Sequence, residues 1–182
     1  VENKNTENQN LPITTTRKNF NETAFFFPDL KTDEAGNIAL SFTMPEALTQ
    51  WKMMAIAHSK ALAFGYAQQL AVTQKELMVQ PNAPRFVREK DSIAFSTKIV
   101  NIGDKPLSGF AKLELVDAAT LQPVDHLFNN AVPVKEFTVA AGQSTPVQFL
   151  ICVPQNFNTA LQYRITATAN TGDGKTLSDG EE

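Results

Sequence analysis

The stretch that decides the fold reads RKNFNETAFFFPDL (residues 17–30), DEAGNIALSFTMPEALTQWKMMAIAHS (33–59) and FGYAQQLAVTQKELMV (64–79). Phe25, Phe26 and Phe27 are aromatic residues that favour strands, and Pro28 ends their run because it cannot donate to a ladder. Asp33, Glu34, Gly36 and Asn37 supply turn chemistry. Ile38, Leu40 and Phe42 then alternate with Asn37, Ala39, Ser41 and Thr43, the period of a strand with one buried face, until Pro45. Residues 45–50 are too few for a helix and read as a loop. Trp51 to Ser59 alternates weakly, with Met54 and Ile56 opposite Met53 and Ala55, and helix competes there because Ala and Met are good helix formers. Gly65 marks a turn or bulge over Phe64 to Tyr66, and Leu70 to Met78 reads as a further strand.

Downstream, QPNAPRF at Gln80 to Phe86 marks a boundary, since Pro81 and Pro84 exclude a central strand. Seven short runs follow, the rhythm of an all-β sandwich. They lie near Arg85–Val87, Ser92–Asn101, Gly109–Asp117, Ala131–Val139, Thr145–Val153, Gln162–Asn170 and after Lys175. Ile93, Phe95, Thr97 and Ile99 alternate with Ser92, Ser96 and Lys98, and Leu113 and Leu115 with Lys112 and Glu114. Phe110, Phe137, Phe149 and Tyr163 are expected to fill the layer between two sheets. The fold class is therefore all-β: a β-rich partial domain over residues 17–79, then an antiparallel sandwich over 80–182, similar to fibronectin type III or immunoglobulin folds in architecture.

Upstream, residues 1–16 (VENKNTENQNLPITTT) carry no aromatic residue and few aliphatic ones, a composition that predicts a flexible tail. The formal charge is −3, with Lys and Arg scattered singly, so nucleic acid is not an expected partner. No apolar run approaches the roughly 20 residues that span a bilayer, so no direct membrane span is expected. No basic and apolar leader opens the chain, so removal of something upstream of Val1, whether in biology or in the preparation of this piece, is expected. The single cysteine, Cys152, cannot form an intrachain disulfide and reads as a small buried hydrophobe within VQFLICVP.

The 17–79 order resembles the alpha-2-macroglobulin and complement family, where an ETAFFFPDL-like strand follows the bait or anaphylatoxin region and a P-x-x-L-T-x-W segment comes next. Phe20, Glu22, Thr23 and Phe25 to Phe27 match the opening strand of the second half of a split macroglobulin domain, and Gly36, Pro45, Leu48, Thr49 and Trp51 match its turn and signature segment. The resemblance favours strand over helix for Trp51 to Ser59. Leu77 to Pro84, Phe86, Asp91 and Asn101 fall where the next macroglobulin domain has its own spacing, and SDGEE at Ser178 to Glu182 looks like the lead-in to its final strand. The family strand often carries Trp where this chain has Phe25 to Phe27. No Cys-x-Glu-Gln thioester occurs here, because that domain would lie downstream.

The resemblance implies a non-catalytic scaffold piece of a broad-spectrum protease inhibitor that traps proteases after bait cleavage. It implies target proteases and neighbouring macroglobulin and thioester-type domains as partners, all acting through a parent protein. Leu11, Ile13, Thr16 and Arg17 would belong to the end of the bait, and Phe25, Phe26, Phe27 and Trp51 would be structural anchors. The scarcity of cysteine points to a bacterial relative, a periplasmic or surface lipoprotein in that family. A surface adhesion or ligand-binding sandwich is the other reading, with a contact loop in residues 117–140 around Phe128, Asn129 and Asn130.

Chemical motifs are weak. Ala169 to Thr176 resembles a relaxed phosphate loop, but that mechanism needs a following helix, and Gly172-Asp173-Gly174 reads better as a hairpin turn. His58 and His126 lack metal-site spacing, and Asp125 beside His126 would face the opposite side of a strand. Asp29, Asp33 and Glu34 follow no calcium-loop pattern, and Asn21-Glu22-Thr23 is a glycosylation sequon in form only. No cofactor, metal or catalytic residue is expected.

Overall fold

A computed structural model describes residues 14–182. The chain forms two compact units, one of Arg17–Gln74 and one of Lys75–Glu182 together with the described residues 14–16. The division thus falls after Gln74, ahead of the boundary expected at Gln80. Among the described residues every regular element is a β-strand, and no helix is long and apolar enough to cross a membrane.

The Lys75–Glu182 unit is an antiparallel β-sandwich. One sheet orders β3 (Leu77–Asn82), β4 (Ser92–Asn101) and β7 (Ser144–Cys152); the other orders β6 (Val134–Val139), β5 (Leu107–Asp117), β8 (Leu161–Asn170) and β9 (Thr176–Glu181). Alternation along each strand turns one face inward. Leu77, Val79, Phe95, Ile99, Phe149 and Ile151 of the first sheet share one buried cluster with Leu107, Leu113, Leu115, Phe137, Val139 and Ile165 of the second. Burying each such side chain contributes about 1.5–3 kcal/mol, which makes this layer the main source of stability. Pro81 sits within β3 and is tolerated because β3 is an edge strand, where a missing N–H costs no ladder bond.

Phe137 and Phe149 fill the inter-sheet layer, with Tyr163 packed against it, but Phe110 does not. Ala111, Leu113 and Leu115 face inward, so the even-numbered Phe110 stands on the outer face of its sheet. Cys152 is not buried as its apolar run suggests: Val147, Phe149 and Ile151 take the inward positions of β7, which leaves Cys152 exposed. Arg85 to Val87 forms no strand and belongs to the connection from β3 to β4.

In the Arg17–Gln74 unit the regular structure is one antiparallel hairpin of β1 (Gln50–His58) and β2 (Phe64–Val72). The expected turn at Phe64 to Tyr66 is instead the start of β2. The reversal lies at residues 59–63, where Leu62 adopts φ 62° and its N–H donates to the Ser59 carbonyl at 3.1 Å. Leu70 to Met78 is not one strand, because the chain leaves β2 at Val72 and enters β3 at Leu77. Residues 25–27 and 38–43 are not strands either. Alternation only selects which face would be buried; a strand also needs a neighbour's N–H and C=O groups, and no ladder partner faces these segments among the described residues.

Candidate functional site

Leu11 and Ile13, expected at the end of a protease-sensitive segment, lie outside the described residues. Thr16 and Arg17 are both buried, at 9% and 6% exposure. The Thr16 hydroxyl donates to a Glu182 carboxylate oxygen at 3.0 Å, and the Thr14 hydroxyl meets that of Thr168 at 3.4 Å. The Arg17 guanidinium lies 5.6 Å from the centre of the Phe20 ring. Just beyond, Glu46 holds the backbone: its carboxylate accepts from the N–H groups of Lys18 (2.8 Å) and Asn19 (2.9 Å), while its own N–H donates to the Asn19 carbonyl. Sequence reasoning passed over Glu46, because nothing in its neighbours announces a bond to residues 27 and 28 positions away.

The three consecutive phenylalanines separate. Phe25 is half-buried, with its ring 5.3 Å from that of Phe27 and 4.3 Å from that of Phe42, whereas Phe26 is 80% exposed. Alternate residues of an extended chain share a side, which joins Phe25 to Phe27 and turns Phe26 away. Trp51, at the open end of the hairpin, is half-buried and makes none of these ring contacts among the described residues. Its indole N–H donates to the Thr73 hydroxyl, and the Thr73 N–H donates to the Thr49 carbonyl.

The hairpin carries the largest run of uncovered apolar side chains. Met54, Ile56, Phe64, Tyr66, Leu70 and Val72 are all exposed, Ile56 and Phe64 by more than three quarters. The register pairs Ile56 with Tyr66, His58 with Phe64 and Met54 with Gln68, so these side chains share one face. The opposite face is built largely of small residues, with Ala55 opposite Ala67 and Ala57 opposite Gly65.

The remaining sequence candidates are absorbed by local structure. The Asp33 carboxylate accepts from the N–H groups of Ala35 (3.0 Å) and Asn37 (2.7 Å), a turn that uses the acid internally. Residues 171–175 form the turn between β8 and β9, with the Thr171 N–H on the Lys175 carbonyl and Gly174 at φ 85°. Asp173 there accepts from Lys105 Nζ at 2.8 Å and from the Thr171 hydroxyl, and these bonds hold its carboxyl below the ordinary carboxylate range. His126 is exposed, while Asp125 accepts from the Leu115 N–H and the Asn130 side chain. Phe128 and Asn130, expected on a contact loop, are buried instead; Phe128 packs edge-on against Phe157. Among the described residues no group of three or more His, Cys, Asp and Glu side chains is placed to hold a metal ion.

The sequence profile described as the Alpha-2-macroglobulin family matches residues 23–113, half of the 182 residues. The chain is 33% identical over 88 residues to an "Alpha-2-macroglobulin homolog" of Nostoc sp., a match covering 48% of this chain and 5% of that protein. It is 27% identical over 156 residues to an "Alpha-2-macroglobulin" of Thermotoga maritima, covering 82% of this chain and 10% of that protein. The chain therefore spans about a tenth or less of the length of these curated relatives. A profile match that begins at Thr23, just ahead of the Phe25 to Phe27 run, crosses the hairpin and ends in the second sheet of the sandwich joins both units in one assignment: the chain belongs to the alpha-2-macroglobulin family.

Proposed function

We propose that the chain is a non-catalytic scaffold part of an alpha-2-macroglobulin-like protease inhibitor, one that traps proteases of broad specificity after its bait segment is cut. The observation that carries this reading is the β1–β2 hairpin with its uncovered apolar face. A two-stranded hairpin is marginal alone in water, and a large exposed apolar face marks a contact surface. Both properties suit half of a domain completed by another part of a much longer parent.

In this reading residues 1–16 end the bait segment, and a protease cuts ahead of Arg17. The burial of Thr16 and Arg17 supports a scissile bond upstream of them, because proteases need a locally unfolded substrate. Phe25, Phe27 and Trp51 anchor the segment that receives the cut end, with Phe26 turned outward. The partners are target proteases and the neighbouring macroglobulin and thioester-type domains of the parent. The compartment is the periplasm or cell surface, with the parent held there as a lipoprotein.

The test uses the parent protein with several proteases of unrelated specificity. Cleavage within the segment ahead of Arg17, followed by a smaller radius in small-angle scattering and loss of protease activity on large substrates, is the expected result. Cleavage without compaction or retained protease would overturn the inhibitor reading and favour a surface adhesion module.

A further inference from the structure

The chain passes between its two units twice, from Thr16 to Arg17 and from Gln74 to Lys75. Both crossings are fastened, within the sandwich unit, to the run Ser178-Asp179-Gly180-Glu181-Glu182 at the end of β9. At the second crossing, Lys75 Nζ donates to Asp179 Oδ1 at 2.8 Å while the Val79 N–H donates to Asp179 Oδ2 at 2.9 Å. Asp179 is fully buried, and its bond to the Val79 N–H forms away from water, where an unmade one would be costly, while Lys75 reaches it from a partly exposed position. At the first crossing, one carboxylate gathers three donors: the Thr16 hydroxyl, Gln162 Nε2 and Arg164 Nε reach Glu182 at 3.0, 2.8 and 2.8 Å.

Between these two acids stands Gly180, and its lack of a side chain makes the seat for Thr16. A Cβ there would stand 3.0 Å from Thr16 Cγ2, 3.0 Å from Thr166 Cγ2 and 3.1 Å from the Ile165 carbonyl oxygen. All three distances are tighter than ordinary van der Waals contact, so even a methyl group would press on Thr16, which would have to give by a few tenths of an ångström. An acid, a glycine and an acid at positions 179, 180 and 182 thus hold two points of the chain that lie 59 residues apart, at Thr16 and Lys75.

We propose that Asp179, Gly180 and Glu182 form a clasp that holds both inter-unit crossings on one strand, so that β9 is where tension in the segment ahead of Arg17 enters the sandwich. The clasp fixes the roots of the hairpin-bearing unit while leaving that unit's own contacts untouched. Its existence stands on contacts within the sandwich unit alone; only its consequence for protease capture rests on the function proposed above.

Backbone order parameters of the 182-residue chain test it without any protease, which separates its failure from failure of the inhibitor reading. In the unmodified chain Thr15, Thr16, Lys75 and Glu76 are expected near the rigid-backbone value of about 0.85. Thr16→Val and Glu182→Gln should drop Thr15 and Thr16 below about 0.6 and leave Lys75 rigid, and Lys75→Met should do the reverse. Gly180→Ala should release the first crossing; if that variant does not fold, the three milder ones still decide. Crossings that are already mobile in the unmodified chain, or that stay rigid in all variants, would overturn the proposal.

Discussion

The Trp51 indole N–H donates to the Thr73 hydroxyl at 3.0 Å, and that hydroxyl donates onward to the Ala47 carbonyl at 2.6 Å. One threonine thereby ties the entry of β1, the exit of β2 and the turn before them. The hairpin packs little of its own surface, so this network carries an unusual share of its closure. Thr73→Val removes these bonds, and the one that the Thr49 N–H donates to the same hydroxyl at 3.3 Å, while preserving shape, and should cost the Arg17–Gln74 unit about 1–2 kcal/mol. Trp51 is the single tryptophan, so its fluorescence in urea reports this unit alone. An unchanged fluorescence midpoint would show that the network does not hold the hairpin.

Thr97, on the central strand β4, is fully buried in the sandwich, and its hydroxyl finds no hydrogen-bond partner among the described residues. A buried hydroxyl without a partner costs stability, and a methyl group of similar size would fill the same space. Thr97→Val should therefore raise the stability of the sandwich by about 1 kcal/mol. The urea midpoint followed by far-UV circular dichroism should move upward. A midpoint that falls would mean that an ordered water satisfies the hydroxyl.

The sandwich was legible where alternation runs long between clear turns. Ser92–Asn101 is read to the residue because turn residues follow it at Ile102-Gly103-Asp104 and inward and outward positions never slip. The errors are matters of parity and partnership. Cys152 and Phe110 each lie one position from an inward residue, and a single step along a strand reverses the face. Ile38, Leu40 and Phe42 alternate as a strand should, yet no ladder partner faces them among the described residues. Local periodicity also carries no trace of the clasp: Lys75 and Asp179 meet across 104 positions, and an acid beside a glycine reads simply as a turn. The SDGEE run reads as the lead-in to a final strand, whereas Ser178 to Glu181 lie within β9 itself, and nothing local to them announces the clasp.

Because Cys152 occupies an outward position on the edge strand β7, with Sγ 3.9 Å from the Ser92 hydroxyl, it is open to reagents in the folded state. A maleimide in native buffer should label the chain stoichiometrically without loss of circular dichroism signal. Mild oxidation should give disulfide-linked pairs of chains, since no second cysteine exists to compete. Labelling that appears only in denaturant would return Cys152 to the core.

The Asp173–Lys105 pair at the tip of the β8–β9 hairpin sets a pH dependence with a definite sign. Hydrogen bonds from Lys105 and then Thr171 hold the Asp173 carboxyl below its ordinary 3.8, and the bond to Asp173 raises Lys105 above its ordinary 10.5. The depressed carboxyl contributes stability that is present above about pH 3.8 and lost as the pH falls through its folded value. The raised lysine contributes stability present below 10.5 and lost as the pH climbs through its folded value. Both side chains are more than half exposed, so the effect is small and screened by salt. In a carbon-13 NMR titration Asp173 should ionise below 3.8 and move part of the way back in Lys105→Met, with the Thr171 bond retaining the rest. An Asp173 that titrates at its ordinary value in the unmodified chain would mean that the pair does not form in solution.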